Sequence, residues 1–396
     1  MANVSSSNGL EKRPKLRFPG FDEPWKETTL SALFSKSTQK NTDGHITNVI
    51  CNSARLGLIP QREYFDKDIA NSDNTSGYYI IRQNDFVYNP RKSSDAPYGP
   101  ISSYKYAEDG IVSPLYLCFH AKGEINPLYY EWYFRSSAWH RYIYMSGDSG
   151  ARHDRVSIKD DTFFAMPINL PSEQEQSKIA SFLQSLDERI AAQERLVASL
   201  KKYKRGVVKA LISGSRTFTD ADHKKWETVS LAEIFNISAG GDIDRKNSSS
   251  SYSANHPYPV FANALTNSGL YGYANYFKIE GDSITVSGRG EVGHAIARHC
   301  KYVPIVRLLS LVPKHDDDVD FFAYMINATS IYIESTGVPQ LTSPQLGAVK
   351  VLRPPVSEQK RISSFLLKLD VKVEKEERLI LRMEKVKAAM LQQLFI

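Results

Sequence analysis

Cysteine is scarce. Cys51, Cys118 and Cys300 are three in 396 residues and lie far apart, with no CxxC pair and no even-numbered framework. A disulfide scaffold is therefore excluded, and a reducing compartment is expected. Long apolar runs are absent as well: nothing approaches the roughly 18–20 residues of a membrane span, so no membrane partner is expected. Met1 to Lys15 lacks the layout of a secretion signal and reads as a polar arm. The phosphate-cradling GxxxxGK(S/T) loop, GxSxG and HExxH are all missing. His294, His299, Cys300 and His315 have no zinc-ligand spacing, and Asn89–Pro90 lacks the second proline and aromatic of an amino-methyltransferase motif. One literal nucleotide-type match, Gly288-Arg-Gly-Glu-Val-Gly293, runs into His294-Ala-Ile-Ala-Arg-His. That stretch alternates like a strand where a dinucleotide fold needs a helix, so the glycines are expected to turn a hairpin. No residue group is expected to perform chemistry by itself.

What the chain does have is a repeat. Pro171, Glu175–Gln176, Ile179, Ser181–Phe182–Leu183, Leu186–Asp187 and Glu194–Arg195–Leu196 return as Pro354, Glu358–Gln359, Ile362, Ser364–Phe365–Leu366, Leu369–Asp370 and Glu377–Arg378–Leu379. Every pair is 183 residues apart. One ungapped offset marks a duplicated structural unit. In heptads the first copy reads Leu183, Leu186, Ile190, Gln193, Val197, Leu200, Lys204, Val207, Leu211. The second reads Leu366, Leu369, Val373, Glu376, Ile380, Met383, Lys387, Met390, Leu394, with its polar interruptions at matching places. An apolar seam over four heptads predicts a coiled coil. About 40 residues per helix gives a rod of roughly 60 Å. Ser172 and Glu175 fit a capping box, and Gly214 fits a helix stop.

Upstream of each helix the correspondence is weaker but ordered. Trp25, Leu30 and Phe34 match Trp226, Leu231 and Phe235 at an offset of 201, Tyr129–Tyr130 matches Phe321–Phe322 at 192, and Gly150 matches Gly337 at 187. A falling offset is what loop deletions produce between divergent copies of one fold. Tyr78–Ile81, Phe86–Tyr88, Leu115–Phe119, Tyr258–Phe261, Ser283–Ser287 and Val303–Val312 read as strands, and Leu128–Ser137 and Asp320–Thr329 as helices. The predicted organisation is a polar arm (1–24), an α+β segment (25–170), a long helix (171–213), a linker (214–225), a second α+β segment (226–353) and a second long helix (354–396). If a pseudo-two-fold relates the segments, the helices run antiparallel.

The formal net charge of +6 at pH 7 permits nucleic-acid binding without requiring it. The polar loops are more pointed. Arg91–Lys92–Ser93 follows a strand, and Arg152–His153 with Arg155 follows Gly150. Their counterparts are Arg245–Lys246, Asn263 to Asn267, Arg289 and Gln340. Arginine and lysine suit phosphates and guanine edges, whereas asparagine and glutamine suit adenine.

Two variable globular segments alternating with two near-identical helices resemble the specificity subunit of Type I restriction–modification systems. Residues 171–183 and 354–366 carry the resemblance most strongly, as Pro-x-x-x-Glu-Gln helix openings. Residues 281–290 and 84–92 look like strands of its target-recognition domains. The resemblance implies an α+β protein: two tandem α/β target-recognition domains separated by two long helices forming an antiparallel coiled coil. It also implies a non-catalytic reader of double-stranded DNA in the prokaryotic cytoplasm, at the nucleoid. Each domain would bind one half of a split asymmetric site, and the coiled coil would set the gap. Two methyltransferase subunits would join, then restriction (translocase) subunits, and an adenine in each half-site would be flipped out for methylation. No cofactor is expected on this chain: S-adenosylmethionine, ATP and Mg²⁺ would sit on the partners. By position Arg55, Lys105 and Arg298 join the loop residues above as candidate DNA contacts. Other readings remain: an orphan or decoy specificity subunit, a coiled-coil scaffold without DNA readout, or an enzyme with an unrecognised site.

Overall fold

Heptad-spaced apolar residues form the two longest elements, helices Glu173–Ile212 and Val356–Gln393. The structure, a computed structural model, describes residues 13–64, 75–147, 154–218, 226–329, 331 and 340–396. Its contacts divide the chain into two units, Met1–Gln193 with Leu379–Ile396, and Glu194–Arg378. Each unit takes the start of one long helix and the end of the other, or the reverse, and the two pieces lie side by side in opposite directions. In the first unit Ile179, Ala180 and Leu183 share a buried cluster with Leu394 and Phe395. In the second, Ile362 and Leu366 share one with Leu211 and Ile212. None of the seam positions is exposed, whereas off-seam Leu196, Tyr203, Leu367, Val371 and Leu381 are.

The lysine interruption of each seam has a shared explanation. Lys387 pairs with Asp187 in the first unit, and Lys204 pairs with Asp370 in the second. The same ion pair is thus made twice, by residues related through the repeat. Each lysine also lies over an aromatic ring, Trp132 at 5.0 Å and Tyr324 at 5.8 Å. A lone cation in an apolar seam weakens the helix pair but selects its register, because sliding by a turn strands the charge.

The helix openings are held in parallel ways. Gln176 Nε2 donates to Pro171 O at 3.1 Å, and Gln359 Nε2 to Pro354 O at 2.9 Å. Phe18 packs on Phe182 and Phe218 on Phe365, each at 5.5 Å. The capping box expected at Ser172 forms only in half. Ser172 Oγ accepts from Glu175 N at 3.3 Å, but the Glu175 carboxylate goes instead to Arg17, whose Nε and Nη2 both reach it at 2.8 Å. A guanidinium fork offers two charge-assisted bonds where a backbone N–H offers one. Gly214, left-handed at φ 68°, follows the end of the first long helix, as a glycine stop requires.

Each unit carries a four-stranded antiparallel sheet of matching order. In the first the order is Phe34–Lys36, Leu117–Ala121, Phe86–Tyr88, Ile101–Ser103. In the second it is Phe235–Ala239, Leu309–Pro313, Ser283–Val286, Ala295–Arg298. Two-stranded ribbons precede the long helices, Lys26–Thr29 with Pro167–Leu170 and Glu227–Ser230 with Lys350–Arg353. A helix packs on each sheet: Pro127–Arg135, capped by Asn126, and Val319–Ala328, capped by Asp318. The duplication reaches single ring contacts. Phe34 meets Tyr130 edge-on at 5.2 Å, and Phe235 meets Phe322 edge-on at 5.3 Å.

Two expected strands differ. Leu115–Phe119 begins only at Leu117. Val303–Val312 is two strands, Val303–Pro304 and Leu309–Pro313, separated by a turn in which Val306 and Arg307 are left-handed, φ 52° and 59°. Periodicity could not reveal that break, since apolar residues flank it on both sides. The glycine motif does turn a hairpin between Ser283–Val286 and Ala295–Arg298, with Gly290 and Gly293 left-handed at 73° and 86°. Gly150, Gly337, Arg152 and His153 lie outside the described residues.

Candidate nucleic-acid interface

In the first unit a ribbon-like pairing joins two loops far apart in sequence. Arg91 and Arg155 form an antiparallel bridge. Lys92 N donates to Asp154 O at 2.8 Å, and Val156 N to Pro90 O at 2.9 Å. Arg91 and Lys92 therefore lie on backbone paired with that of Arg155. Gly99 makes the loop possible: at φ 83°, a Cβ there would stand 2.1 Å from Asn89 O. Ser93 Oγ accepts from Ala96 N at 3.1 Å, which closes the loop tip. Arg55, on the turn between Ile50–Ser53 and Gly57–Pro60, reaches into the same loop through Asp95, Nε to Oδ2 at 2.7 Å. Arg91, Lys92 and Ser93 are exposed. Arg155 is half-buried; its Nε has no hydrogen-bond partner and lies 4.0 Å from Asp154 Oδ2.

Lys105 has a different setting. Its ammonium is 3.0 Å from Glu131 on the sheet-packing helix. That buried carboxylate also accepts from Ser103 Oγ at 2.8 Å and pairs with Arg135 at 2.7 Å.

In the second unit Arg245 and Lys246 are exposed on a single 3₁₀ turn, Arg245–Asn247, capped by Asp244. The Asn247 side chain bonds the Asp244 carboxylate and, with the backbone N–H groups of the turn, holds it below the usual carboxylate range. Asn263 acts as a tie, donating to Val306 O at 2.5 Å and accepting from Gly288 N at 2.8 Å. Asn267 is exposed and left-handed, at φ 49°. Arg289 is exposed and donates to Gln340 Oε1.

Arg298 is the exception. It is 7% exposed, with Nε on Thr285 Oγ1 at 2.9 Å, Nη2 on Ser268 O at 2.7 Å and its guanidinium 3.7 Å from the centre of the Phe261 ring. Burial pulls its pKa below the ordinary arginine value. This guanidinium braces the fold and is not offered to a ligand. Arg298→Ala is expected to cost about 2–4 kcal/mol of stability, from polar partners left unmet and a lost cation–π contact. Thermal unfolding checks this; an unchanged midpoint would remove the bracing role.

Arg307 was not among the sequence candidates, yet it stands beside Arg289, its Nη1 3.3 Å from the same Gln340 oxygen. The available signal was the single charged residue in the mostly apolar run Val303 to Val312. Among the described residues there is no group of His, Cys, Asp and Glu arranged to hold a metal, and no helix long and apolar enough to cross a membrane.

Residues 30–202 and 223–385 both match the family described as Type I restriction modification DNA specificity domain. A Mycoplasma pneumoniae protein, provisionally named a type I specificity subunit, is 28% identical over 206 residues, which is 50% of this chain and 54% of the relative. The chain thus spans about half the length of that curated relative. Among solved structures, the fold resembles a chain from work on complex assembly and conformational transition of the type I R-M system. The TM-score there is 0.63 at 17% identity, over 95% of this chain and 98% of that one. It also resembles the type I restriction–modification S subunit from M. genitalium, with TM-score 0.56 at 16% identity, over 97% and 99%.

Proposed function

This chain belongs to the Type I restriction modification DNA specificity family, and we propose that it is the non-catalytic subunit that reads DNA for such a complex. One recognition domain reads each part of a bipartite, asymmetric site. The paired long helices set the distance between the parts and receive two methyltransferase subunits, to which restriction subunits attach. S-adenosylmethionine, ATP and Mg²⁺ belong to those partners.

The observation that most supports this reading is the doubled design: one sheet order and one inter-helix ion pair made twice, each beside polar loops of different sequence. A repeated scaffold with unlike loops suits reading two unlike half-sites. Phosphate contacts by the loop arginines and lysines would supply most of the affinity and base-edge contacts the specificity.

The test is to produce the chain with its methyltransferase subunits in a methylation-free host and map methylated adenines. The expected result is a motif in two parts with an unspecified gap. Deleting one heptad from a single long helix should change the gap or abolish assembly. Methylation independent of this chain, or an undivided motif, would overturn the proposal.

A further inference from the structure

In the second unit two arginines point at one amide oxygen. Arg289 donates to Gln340 Oε1 through Nε at 3.3 Å and Nη2 at 3.0 Å, and Arg307 donates to it through Nη1 at 3.3 Å. Both arginines are exposed. Three other exposed arginines stand against carboxylates: Arg55 with Asp95, Arg82 with Asp109 and Arg378 with Glu374. Neither Arg289 nor Arg307 has such a partner among the described residues. Two cations gathered on one neutral acceptor repel each other, so among the described residues the arrangement is short of negative charge.

The backbone goes to unusual lengths to make it. Left-handed backbone is a genuine outlier for a β-branched residue such as Val306 and uncommon for arginine, and strain of this kind gathers at functional sites. Three contacts hold the turn: Asn263 Nδ2 to Val306 O at 2.5 Å, Val306 N to Gly241 O at 2.9 Å and Arg307 N to Gly240 O at 2.9 Å. Gly240 is required, since a Cβ would stand 2.6 Å from Pro304 backbone. Through its other end, Asn263 accepts from Gly288 N and so fixes the Arg289 loop to the Arg307 turn. In the first unit the equivalent turn, two residues before Leu117–Ala121, carries exposed Leu115. The two domains thus differ in chemistry at this tip.

We infer that Arg289 and Arg307 form a two-pronged clamp for one pair of hydrogen-bond acceptors on DNA, with Gln340 Oε1 holding the acceptor position until DNA arrives. This rests on the DNA-reading function proposed above. Two acceptor pairs have the required chemistry: O6 and N7 of a guanine in the major groove, and two oxygens of a backbone phosphate.

The test compares wild type, Arg307→Ala and Gln340→Glu, each as the complex with methyltransferase subunits, by methylation mapping and by DNA binding at several salt concentrations. Thermal unfolding of each is followed in parallel. Gln340→Glu puts a carboxylate where both guanidiniums already point. It is expected to keep or raise the unfolding midpoint while weakening DNA binding about tenfold or more. Arg307→Ala separates the two sources. Relaxation at one base position in one half of the motif identifies a guanine edge. Uniform weakening with a shallower salt slope and an unchanged motif identifies a phosphate. A wild-type motif together with wild-type DNA binding and salt slope for both substitutions overturns the clamp alone, and so does a lowered midpoint for Gln340→Glu. Absence of any wild-type motif defeats the DNA-reading function and the clamp with it.

Discussion

Arg17→Met is expected to lower the stability of the first unit by about 3–5 kcal/mol. The Glu175 side chain is 1% exposed and Arg17's is 13%, and both carboxylate oxygens are held by the guanidinium at 2.8 Å. Methionine keeps most of the apolar stem but leaves a charge buried without its counter-ion. The Coulomb attraction and two charge-assisted bonds go, while the desolvation of Glu175 remains. A second change, Glu175→Leu, should recover much of the loss, because replacing a buried ion pair by apolar volume is often neutral or better. Denaturant unfolding followed by tryptophan emission measures this well, since Trp25, Trp132 and Trp139 lie in the first unit and only Trp226 in the second. An unshifted midpoint for Arg17→Met would mean that the pair contributes nothing. The same substitution should also impair complex assembly if methyltransferase subunits dock on the helix opening that Arg17 clasps.

Raising the pH beyond 10 is expected to unfold the first unit cooperatively. Tyr88, Tyr129, Tyr130 and Tyr133 belong to its core and are at most 2% exposed. Burial pushes all four phenols above the ordinary tyrosine range, Tyr130 to about 12. The sign follows from which state holds its protons longer. Unfolded tyrosine ionises near pH 10, so below that pH both states are neutral and the stability is fully present. Above it the unfolded chain releases protons that the native core retains, and stability falls as pH climbs through the folded values. For Tyr130 alone the rise from about 10 to about 12 corresponds to about 2–3 kcal/mol. The other three buried phenols shift in the same direction, so each adds to the loss as pH climbs. The last part of the tyrosinate absorbance change, from the buried phenols, should therefore coincide with the loss of far-ultraviolet dichroism, well above pH 10. Completion of the tyrosinate change near pH 10 while the helical signal persists would show that the core admits water.

The long helices were legible because their determinants are local and repeated. Leucine and valine every three or four residues prescribe a stripe, and the 183-residue offset prescribes two of them. Even the polar seam residues carried information: Lys204 and Lys387 fall at matching places in the two copies. The paired loops were harder. Nothing near Arg91 in the sequence points to Arg155, and only an isolated backbone bridge between the two loops sets them side by side. Basic character alone could not separate Arg298, buried against Phe261, from exposed Arg289. Arg307 escaped notice because the left-handed turn that presents it breaks what reads as one strand.

By itself the sequence determined the duplication, the seam, the hairpin glycines and the kinds of side chain its loops present, all of which depend on spacing along the chain. Only the tertiary structure decided which cations are braces and which stand free, because that depends on neighbours brought together from distant segments. Arg17 found Glu175, Asn263 tied Gly288 to Val306, and two arginines met at Gln340. Burial and the direction of a hydrogen bond are properties of that convergence, and no periodicity encodes them.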